Sequence, residues 1–254
     1  MDDIAALRLM MDWGADEALG NHPVSRLGVP AAALSASAGL PTLPAVQVAV
    51  SAVPAAQLPA DLSTISTVAA LYDAWANFDG CPLRATATST VRPSGTVGAR
   101  LLLLGDAPSA DDDRSGAAFA GGTGAVVDRV LESVGLDRSR VLLAHCVPWR
   151  PPGNRPPSDP EMRACLPFVH RLLRLSGATH IVLMGQAACR TLLGTDARLS
   201  RLRGRWEDTS IPDGGAPMSA MAMAPAETWL RTANSRRETW SDLVLLRSTI
   251  DTTD

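Results

Sequence analysis

Residues 99–105 read ARLLLLG and pass directly into a polar loop that contains Pro, Ser and four Asp. A strand that is buried on both faces of a parallel sheet has this composition, because neither face meets water. Two similar runs follow, RVLLAHCV at 140–147 and HIVLMG at 180–185, and a weaker one, PMSAMAMA, lies at 217–224. The sequence therefore predicts four parallel strands.

Helical patterns separate the predicted strands and follow the last of them. They cover residues 124–134, 160–175 and 235–247. Strands that alternate with helices imply right-handed crossovers and a parallel sheet with helices on both faces, which is an α/β fold. A further helix is expected before the first strand, capped by Asp61 or Ser63 and ended by Gly80.

The composition divides the chain into three parts. Residues 1–27 contain a helical pattern of apolar side chains, which predicts a short amphipathic helix over 3–19. Residues 28–61 are rich in Ala, Pro, Ser and Val, which is typical of a flexible linker. We therefore predict an N-terminal helix, a linker and one domain that extends over residues 62–254.

In a parallel α/β sheet, ligands bind at the carboxyl ends of the strands, where the connecting loops meet. The segments that follow the four predicted strands are polar or contain Gly and Pro. They are residues 106–114, 145–155, 185–188 and 224–231. We therefore expect the functional residues in these four segments.

The charge distribution limits the kind of partner. The chain has a net charge of -3 and a pI of about 5.8, so no global basic field attracts nucleic acid. Residues 1–62 hold six acids and two arginines, whereas the rest of the chain has one more arginine than it has acids. Any DNA contact must therefore be local, and we expect it after residue 62.

The sequence also bears on location. No apolar run approaches the roughly 20 residues that a membrane helix needs. The N-terminal stretch MDDIAALRLM carries acids where a secretion signal carries Lys or Arg. We therefore expect a cytoplasmic protein with no membrane partner, and we expect it to be a monomer.

Three polar segments together resemble the family-4 uracil-DNA glycosylases. They are GDAPSADDDRSGAAFAGGTGAVVDRVL (105–131), GLDRSRVLLAHCVPWRPPGNRPPSDPEMRACLPF (135–168) and LLGTDARLSRLRGRW (192–206). The resemblance covers about residues 71–247, and VPWRPPGNR is its most specific part. It implies a three-layer α/β/α sandwich with a central four-stranded parallel sheet, which agrees with the strand pattern. It also implies a base-excision repair enzyme that flips a base out of DNA and hydrolyses its N-glycosidic bond.

The resemblance implies roles for residues at the strand ends. Asp106 stands at the position of the family's acidic residue, usually Glu, which helps water attack or stabilises the cationic sugar. Phe119 matches the phenylalanine that stacks on the flipped base. His145 stands where the family has an Asn that contacts the edge of uracil, and Ala107 and Ala224 occupy base-binding positions.

Three of these positions depart from the family pattern. Asp106 is one methylene shorter than Glu. His145 has a donor and an acceptor that point in different directions, so it cannot make the paired contact of an amide. Ala224 stands where the family has a His that bonds the departing uracil, and losing one such donor typically costs about 10²- to 10³-fold in rate. Activity would persist if His145 donated to the base O2 in place of that residue.

Arginines near the strand ends are candidate DNA contacts, although a solvated surface is the alternative interpretation. The candidates are Arg150, Arg155, Arg201, Arg203, Arg205 and Arg231. Leu230, together with Arg231, resembles the family loop that enters the duplex in place of the flipped base. We therefore expect DNA, either single- or double-stranded, as the partner.

The cysteines bear on a metal cofactor. Many family members bind a 4Fe-4S cluster through four Cys; here Cys81 and Cys165 match two of these ligands, and Phe78 and Trp149 occupy the other two positions. Two thiolates cannot hold a cluster that needs about four. We expect no iron-sulfur cluster, no zinc and no other cofactor. The acids Asp111–Asp113 are expected to cap a helix rather than to bind a metal.

Two hypotheses follow for the function. The first is a glycosylase that acts on uracil or on another deaminated base, with Asp106 as its acidic residue. The second is a paralogue of weak or absent activity that binds DNA or a protein partner. The arrangement of the site discriminates between them: Asp106 and His145 either converge on a base beside Phe119, or His145 itself fills the pocket.

Overall fold

The computed structural model describes residues 62–209 and 217–253, with side chains as far as residue 250. The predicted N-terminal helix at 1–27 and the predicted linker at 28–61 lie outside these residues. The described residues form one six-stranded sheet. Its strands are β1 (Ser94–Gly95), β2 (Leu101–Gly105), β3 (Val141–His145), β4 (His180–Met184), β5 (Trp206–Thr209) and β6 (Met218–Met223).

The spatial order of the strands is β1-β3-β2-β4-β6-β5. The four central strands, β3, β2, β4 and β6, are parallel, and each corresponds to one of the four apolar runs. The prediction of a four-stranded parallel sheet is therefore confirmed for the centre. The sheet is larger than predicted, because β1 and β5 pair antiparallel at its two edges. Both are short, and the first has only two residues, so neither has a recognisable apolar pattern.

Seven α-helices lie within the described residues. They are α1 (Val68–Ala76), α2 (Ala110–Ser115), α3 (Gly121–Glu132), α4 (Asp159–Ser176), α5 (Gln186–Leu193), α6 (Leu199–Leu202) and α7 (Ala233–Thr253). The helices α3, α4 and α7 correspond to the three helical patterns predicted between and after the strands. The short helix α5 follows β4 directly, and it was not predicted.

Side chains of the central strands alternate between two apolar cores. Leu102 and Leu104 of β2 pack in the core that contains α1 and α4, and Leu101 and Leu103 pack in the core that contains α3 and α7. All four leucines are buried, as a strand between two helical layers requires. The described domain is therefore the expected three-layer α/β/α sandwich.

The first helix begins and ends at residues other than those expected. Thr67 has extended backbone angles, and its hydroxyl accepts a hydrogen bond from the Ala70 amide, so it caps α1 in place of Asp61 or Ser63. Such a cap stabilises a helix by about 1 kcal/mol. The helix ends at Ala76, before Gly80, because Asn77 already leaves the helical hydrogen-bond pattern.

The register of the sheet aligns the carboxyl ends of the parallel strands. Gly105 at the end of β2 pairs with His145 on one side and with Met184 on the other. Met184 in turn pairs with Met223 at the end of β6. The loops that leave these four residues therefore meet at one edge. Within the described residues, no helix is both long enough and apolar enough to cross a membrane.

Candidate active site

A small pocket, partly open to solvent, lies at this edge of the sheet. It brings together four residues that the sequence singled out: Asp106, Ala107, Phe119 and His145. The complete lining is Gly105, Asp106, Ala107, Phe119, His145, Met184, Pro225, Ala226 and Glu227. The pocket therefore joins the ends of all four parallel strands.

Asp106 is held by the N-terminus of α5. One carboxylate oxygen accepts the Ala188 amide at 2.7 Å, and the other accepts the Ala187 amide at 3.3 Å. Burial raises the pKa of Asp106 above its usual value and outweighs these two amide bonds, which lower it. The charge of Glu227 adds to the increase, whereas His145 opposes it. Asp106 is thus a half-buried carboxyl with backbone donors on both oxygens.

Gly185 leaves the space in which the Asp106 carboxyl lies. Its φ of +133° is one that residues with a side chain rarely adopt, and a Cβ at this position would lie 2.3 Å from Cγ of Asp106. The turn from β4 into α5 therefore requires glycine for two separate reasons. This turn explains how the amides of α5 reach the carboxylate.

His145 is bonded to Asp112 beneath the pocket. Its Nε2 lies 3.2 Å from Oδ2 of Asp112, and both side chains are buried. Asp112 also accepts the amides of Ser109, at 2.9 Å, and Ala120, at 2.6 Å. Burial opposes ionisation of Asp112, but its hydrogen bonds from His145, Ser109 and Ala120 prevail, so its pKa is lowered.

The ring of His145 stacks on the ring of Phe119. The two centroids are 4.6 Å apart, and the planes are inclined by 25°. Phe119 is buried and has a φ of +53°, which is uncommon for a residue with a side chain. The imidazole therefore occupies one face of the aromatic ring that the resemblance assigns to base stacking.

Arg138 holds the backbone of Phe119 from outside the pocket. Its guanidinium donates to the Phe119 carbonyl at 2.7 Å, to Oγ of Ser94 at 2.9 Å and to Oδ1 of Asp128 at 2.7 Å. These three partners belong to the pocket loop, to β1 and to α3. The unusual conformation of Phe119 is therefore fixed by a hydrogen-bonded cation that does not itself line the pocket.

The segment after β6 contributes residues that the sequence analysis missed. Ala224, the predicted base-binding residue, does not line the pocket, and its carbonyl accepts the indole N–H of Trp229 at 2.7 Å. Pro225, Ala226 and Glu227 line the pocket instead. The signal for Glu227 was its place in a strand-end segment, since it is the one acid between residues 224 and 231.

Three of the predicted DNA-binding arginines are engaged in ion pairs. Arg155 donates to both carboxylate oxygens of Glu161, at 2.6 and 2.8 Å, and Arg205 bonds to Glu207 at 2.6 Å. Arg203 bonds to Asp242 and Glu238, and its side chain is only 13% exposed. Arg150 donates to the side chain of Asn154. These contacts make Arg155 and Arg203 structural cations, and their role in DNA binding stays a prediction.

Arg201, Arg231 and Leu230 are differently placed. All three are exposed, and neither arginine has an ion-pair partner among the described residues. Leu230 directly follows the buried Trp229 in the loop that begins at the pocket residues Pro225–Glu227. A side chain at this position lies close in sequence to the pocket and faces solvent.

The two cysteines that match family cluster ligands meet in the core that contains α1 and α4. The Cys165 thiol is hydrogen-bonded to Cys81, which lowers the pKa of Cys81. Phe78 packs on Phe168 with centroids 5.1 Å apart, and the buried Trp149 donates to Oγ1 of Thr90. Two thiols and two aromatic side chains do not fit a four-cysteine cluster. Across residues 62–209 and 217–250, no three His, Cys, Asp or Glu residues are grouped to hold a metal ion.

Comparison with known proteins identifies the family. Residues 93–244 match the model of the uracil DNA glycosylase superfamily. The type-4 uracil-DNA glycosylase of Archaeoglobus fulgidus is 30% identical over 49% of this chain and 65% of its own length. That of Pyrobaculum aerophilum is 29% identical over 48% of this chain and 63% of its own length. The chain thus spans less than two thirds of these relatives. The match over residues 93–244, together with the fold, shows that the chain belongs to the uracil-DNA glycosylase superfamily.

Proposed function

We propose that this protein is a DNA glycosylase that hydrolyses the N-glycosidic bond of a flipped uracil or another deaminated base. The observation that carries the proposal is the convergence of Asp106, Phe119 and His145 on one pocket at the edge of the sheet. The type-4 uracil-DNA glycosylases among its relatives support uracil as the first base to test.

The reaction requires a group that assists water and tolerates positive charge on the sugar. Hydrolysis adds a water oxygen to C1′ and breaks the bond between C1′ and the base nitrogen. The base leaves with the bonding electrons and gains a proton; the other water proton stays on the new hydroxyl. An ionised Asp106 would orient the water and stabilise the cationic sugar, because the amides of Ala187 and Ala188 leave lone pairs free on both oxygens.

DNA contact would be provided by exposed side chains. Arg201 and Arg231 are suited to phosphate contact, because neither is neutralised by a described acid. Leu230, which is 41% exposed, is suited to fill the space that a flipped base leaves. These exposed side chains would provide the local DNA contacts that are needed because the chain as a whole has no positive net charge.

One observation favours the second candidate, a paralogue that binds DNA without excising a base. The His145 ring already lies against Phe119, where the resemblance implies a flipped base. A base would stack on Phe119 only if the imidazole shifted or if another part of the ring were used. The same DNA surface would then serve recognition rather than catalysis.

An assay of base release separates the two functions. Single-stranded and duplex oligonucleotides that carry uracil, hypoxanthine or xanthine would be incubated with the protein and then treated with alkali to cleave abasic sites. We expect cleavage that Asp106→Asn abolishes and Asp208→Asn, on the exposed part of β5, leaves unchanged. Retained DNA binding without cleavage would instead support the silent paralogue.

A further inference from the structure

His145 carries a buried nitrogen that has no partner. The side chain is 4% exposed, and among the described residues its Nδ1 has no hydrogen-bond partner. Leaving a buried polar atom unpaired costs about 1 to 3 kcal/mol, so such atoms call for an explanation. Because His145 lines the pocket, a ligand in the pocket is the natural candidate for the missing partner.

The other nitrogen of His145, Nε2, is hydrogen-bonded to Asp112. Asp112 accepts the amides of Ser109 and Ala120 and meets Nε2 at 3.2 Å. An ionised carboxylate can only accept hydrogen bonds, so Nε2 must carry the hydrogen in this contact. In neutral imidazole, the remaining nitrogen is then a bare acceptor. The Asp112 contact therefore determines the chemical character of Nδ1.

Glycine at position 105 allows the His145 ring to pack against β2. A Cβ at Gly105 would lie 2.7 Å from Nδ1 and 3.0 Å from Cζ of Phe119. The ring itself is fixed by Asp112 at one nitrogen and by Phe119 on one face. The position of Nδ1 is thus fixed, beside the backbone of Gly105.

We propose that Asp112 fixes the Nε2–H tautomer of His145, so that the pocket presents Nδ1 as an acceptor and selects bases with a ring N–H beside a carbonyl. This inference rests on the proposed function, since it names the base class that the same pocket takes. Asp112 is a positioning residue here, and His145 determines specificity. The proposal replaces the expectation that His145 donates to O2, because its one hydrogen is engaged by Asp112.

Deamination creates the group that this pocket would select. Hydrolytic loss of the amine from cytosine or adenine turns an acceptor ring nitrogen into an N–H donor next to the new carbonyl. Uracil and hypoxanthine therefore offer an N–H donor to Nδ1. The same ring nitrogen in cytosine or adenine is an acceptor, so its lone pair would repel the lone pair of Nδ1. One acceptor would then read a feature that several deaminated bases share.

The tautomer of His145 can be tested in the protein without any bound base. Long-range ¹H–¹⁵N correlation spectra report which imidazole nitrogens carry hydrogen, and a His145→Gln spectrum assigns the signals among the four His of the chain. We expect a hydrogen on Nε2 and none on Nδ1 at neutral pH. Asp112→Asn should redistribute the hydrogen, and Ser109→Ala, which weakens the same helix cap, should not. A hydrogen on Nδ1 in the unaltered protein would overturn the proposal, even if Asp112→Asn failed to fold.

Base selection is tested with a matched pair of ligands. 1-Methyluracil keeps the N3–H and mimics the glycosidic substituent, whereas 1,3-dimethyluracil lacks that hydrogen. We expect 1-methyluracil to shift the Nδ1 signal of His145 and to bind at least about tenfold more tightly, which is the effect of one good hydrogen bond. Equal binding, or binding of neither, would refute the selection. Because neither experiment needs hydrolysis, an inactive protein that distinguishes the pair would overturn the proposed function and keep this inference.

Discussion

The pocket lies at the carboxyl edge of the sheet, whereas the cysteine pair lies in the core that contains α1 and α4, and the two regions differ in their polar contacts. Asp106 in the pocket and Asp112, which bonds to the pocket residue His145, are each held by two backbone amides. Around Cys81 and Cys165, the neighbouring space is filled by aromatic side chains that pack in the core. Burying a charge is costly unless hydrogen bonds support it. Backbone amides therefore support the carboxylates at and beside the pocket, whereas the two cysteines themselves pack among apolar side chains.

The largest expected effect tests the packing on the cysteine side. Trp149→Ala removes a buried aromatic side chain, and we expect the free energy of unfolding to fall by about 3 to 5 kcal/mol. Trp240→Ala is the matched control, because that side chain is 53% exposed and should cost less than about 0.5 kcal/mol. Urea denaturation measures both. Similar losses for the two variants would mean that Trp149 does not stabilise the core as described.

The next effect concerns the support of Asp106. Gly185→Ala places a Cβ against the carboxyl at an unfavourable φ, and we expect base release to fall by at least about 10²-fold. Gly194→Ala has a similar backbone conflict at a φ of +62°, but nothing lies within 4 Å of the new Cβ. It should therefore lose stability and keep its rate per folded molecule. Equal rates for the two variants would contradict the role of Gly185 in placing Asp106.

A smaller effect is expected in how the rate and the stability depend on pH. Because burial raises the pKa of Asp106, the acidic limb of the rate profile should lie at a higher pH than for an exposed aspartate. The folded state also holds this proton more tightly than the unfolded state. The stability from this group is therefore full at low pH and lost as pH rises from the ordinary value to the raised pKa. Rate profiles of the parent test the first point, and stability profiles of the parent and Asp106→Asn test the second.

The smallest effect is expected for the cysteines themselves. Replacing Cys81 and Cys165 together by Ala should cost about 1 to 2 kcal/mol of stability through lost packing. It should leave DNA binding unchanged. We also expect the purified parent to contain no iron and no acid-labile sulfide. Stoichiometric iron, lost in the double variant, would show that the pair is a cofactor site after all.

The fold was predictable because its signal is local and repeated. Each central strand is an apolar run with a polar end, so both the parallel sheet and the edge at which the pocket lies followed from the sequence. The edge strands β1 and β5 were missed, because two or four residues without an apolar pattern pair only through their tertiary neighbours. The cap of α1 was assigned to the wrong residues, since several polar side chains precede the helix and only the backbone angles select Thr67.

The site was predictable in its members and less so in their contacts. Asp106, Phe119 and His145 came from their places at strand ends and from the family resemblance. The bond between His145 and Asp112 joins residues 33 positions apart, and the sequence suggested only that Asp112 caps a helix. The ion pairs of Arg155 and Arg203 were likewise hidden, because a run of arginines does not reveal which acids fold against it.

The contacts of Arg138 have a consequence for how this family can vary. Phe119 holds a left-handed backbone that costs about 1 to 2 kcal/mol, and one guanidinium joins its carbonyl to Ser94 and Asp128. A change at any of these positions leaves the other partners unsatisfied. Among homologues that keep the aromatic ring, we expect positions 94, 128 and 138 to covary as a unit. Recombination between distant homologues should fail more often when a crossover separates residue 94 from residues 128 and 138.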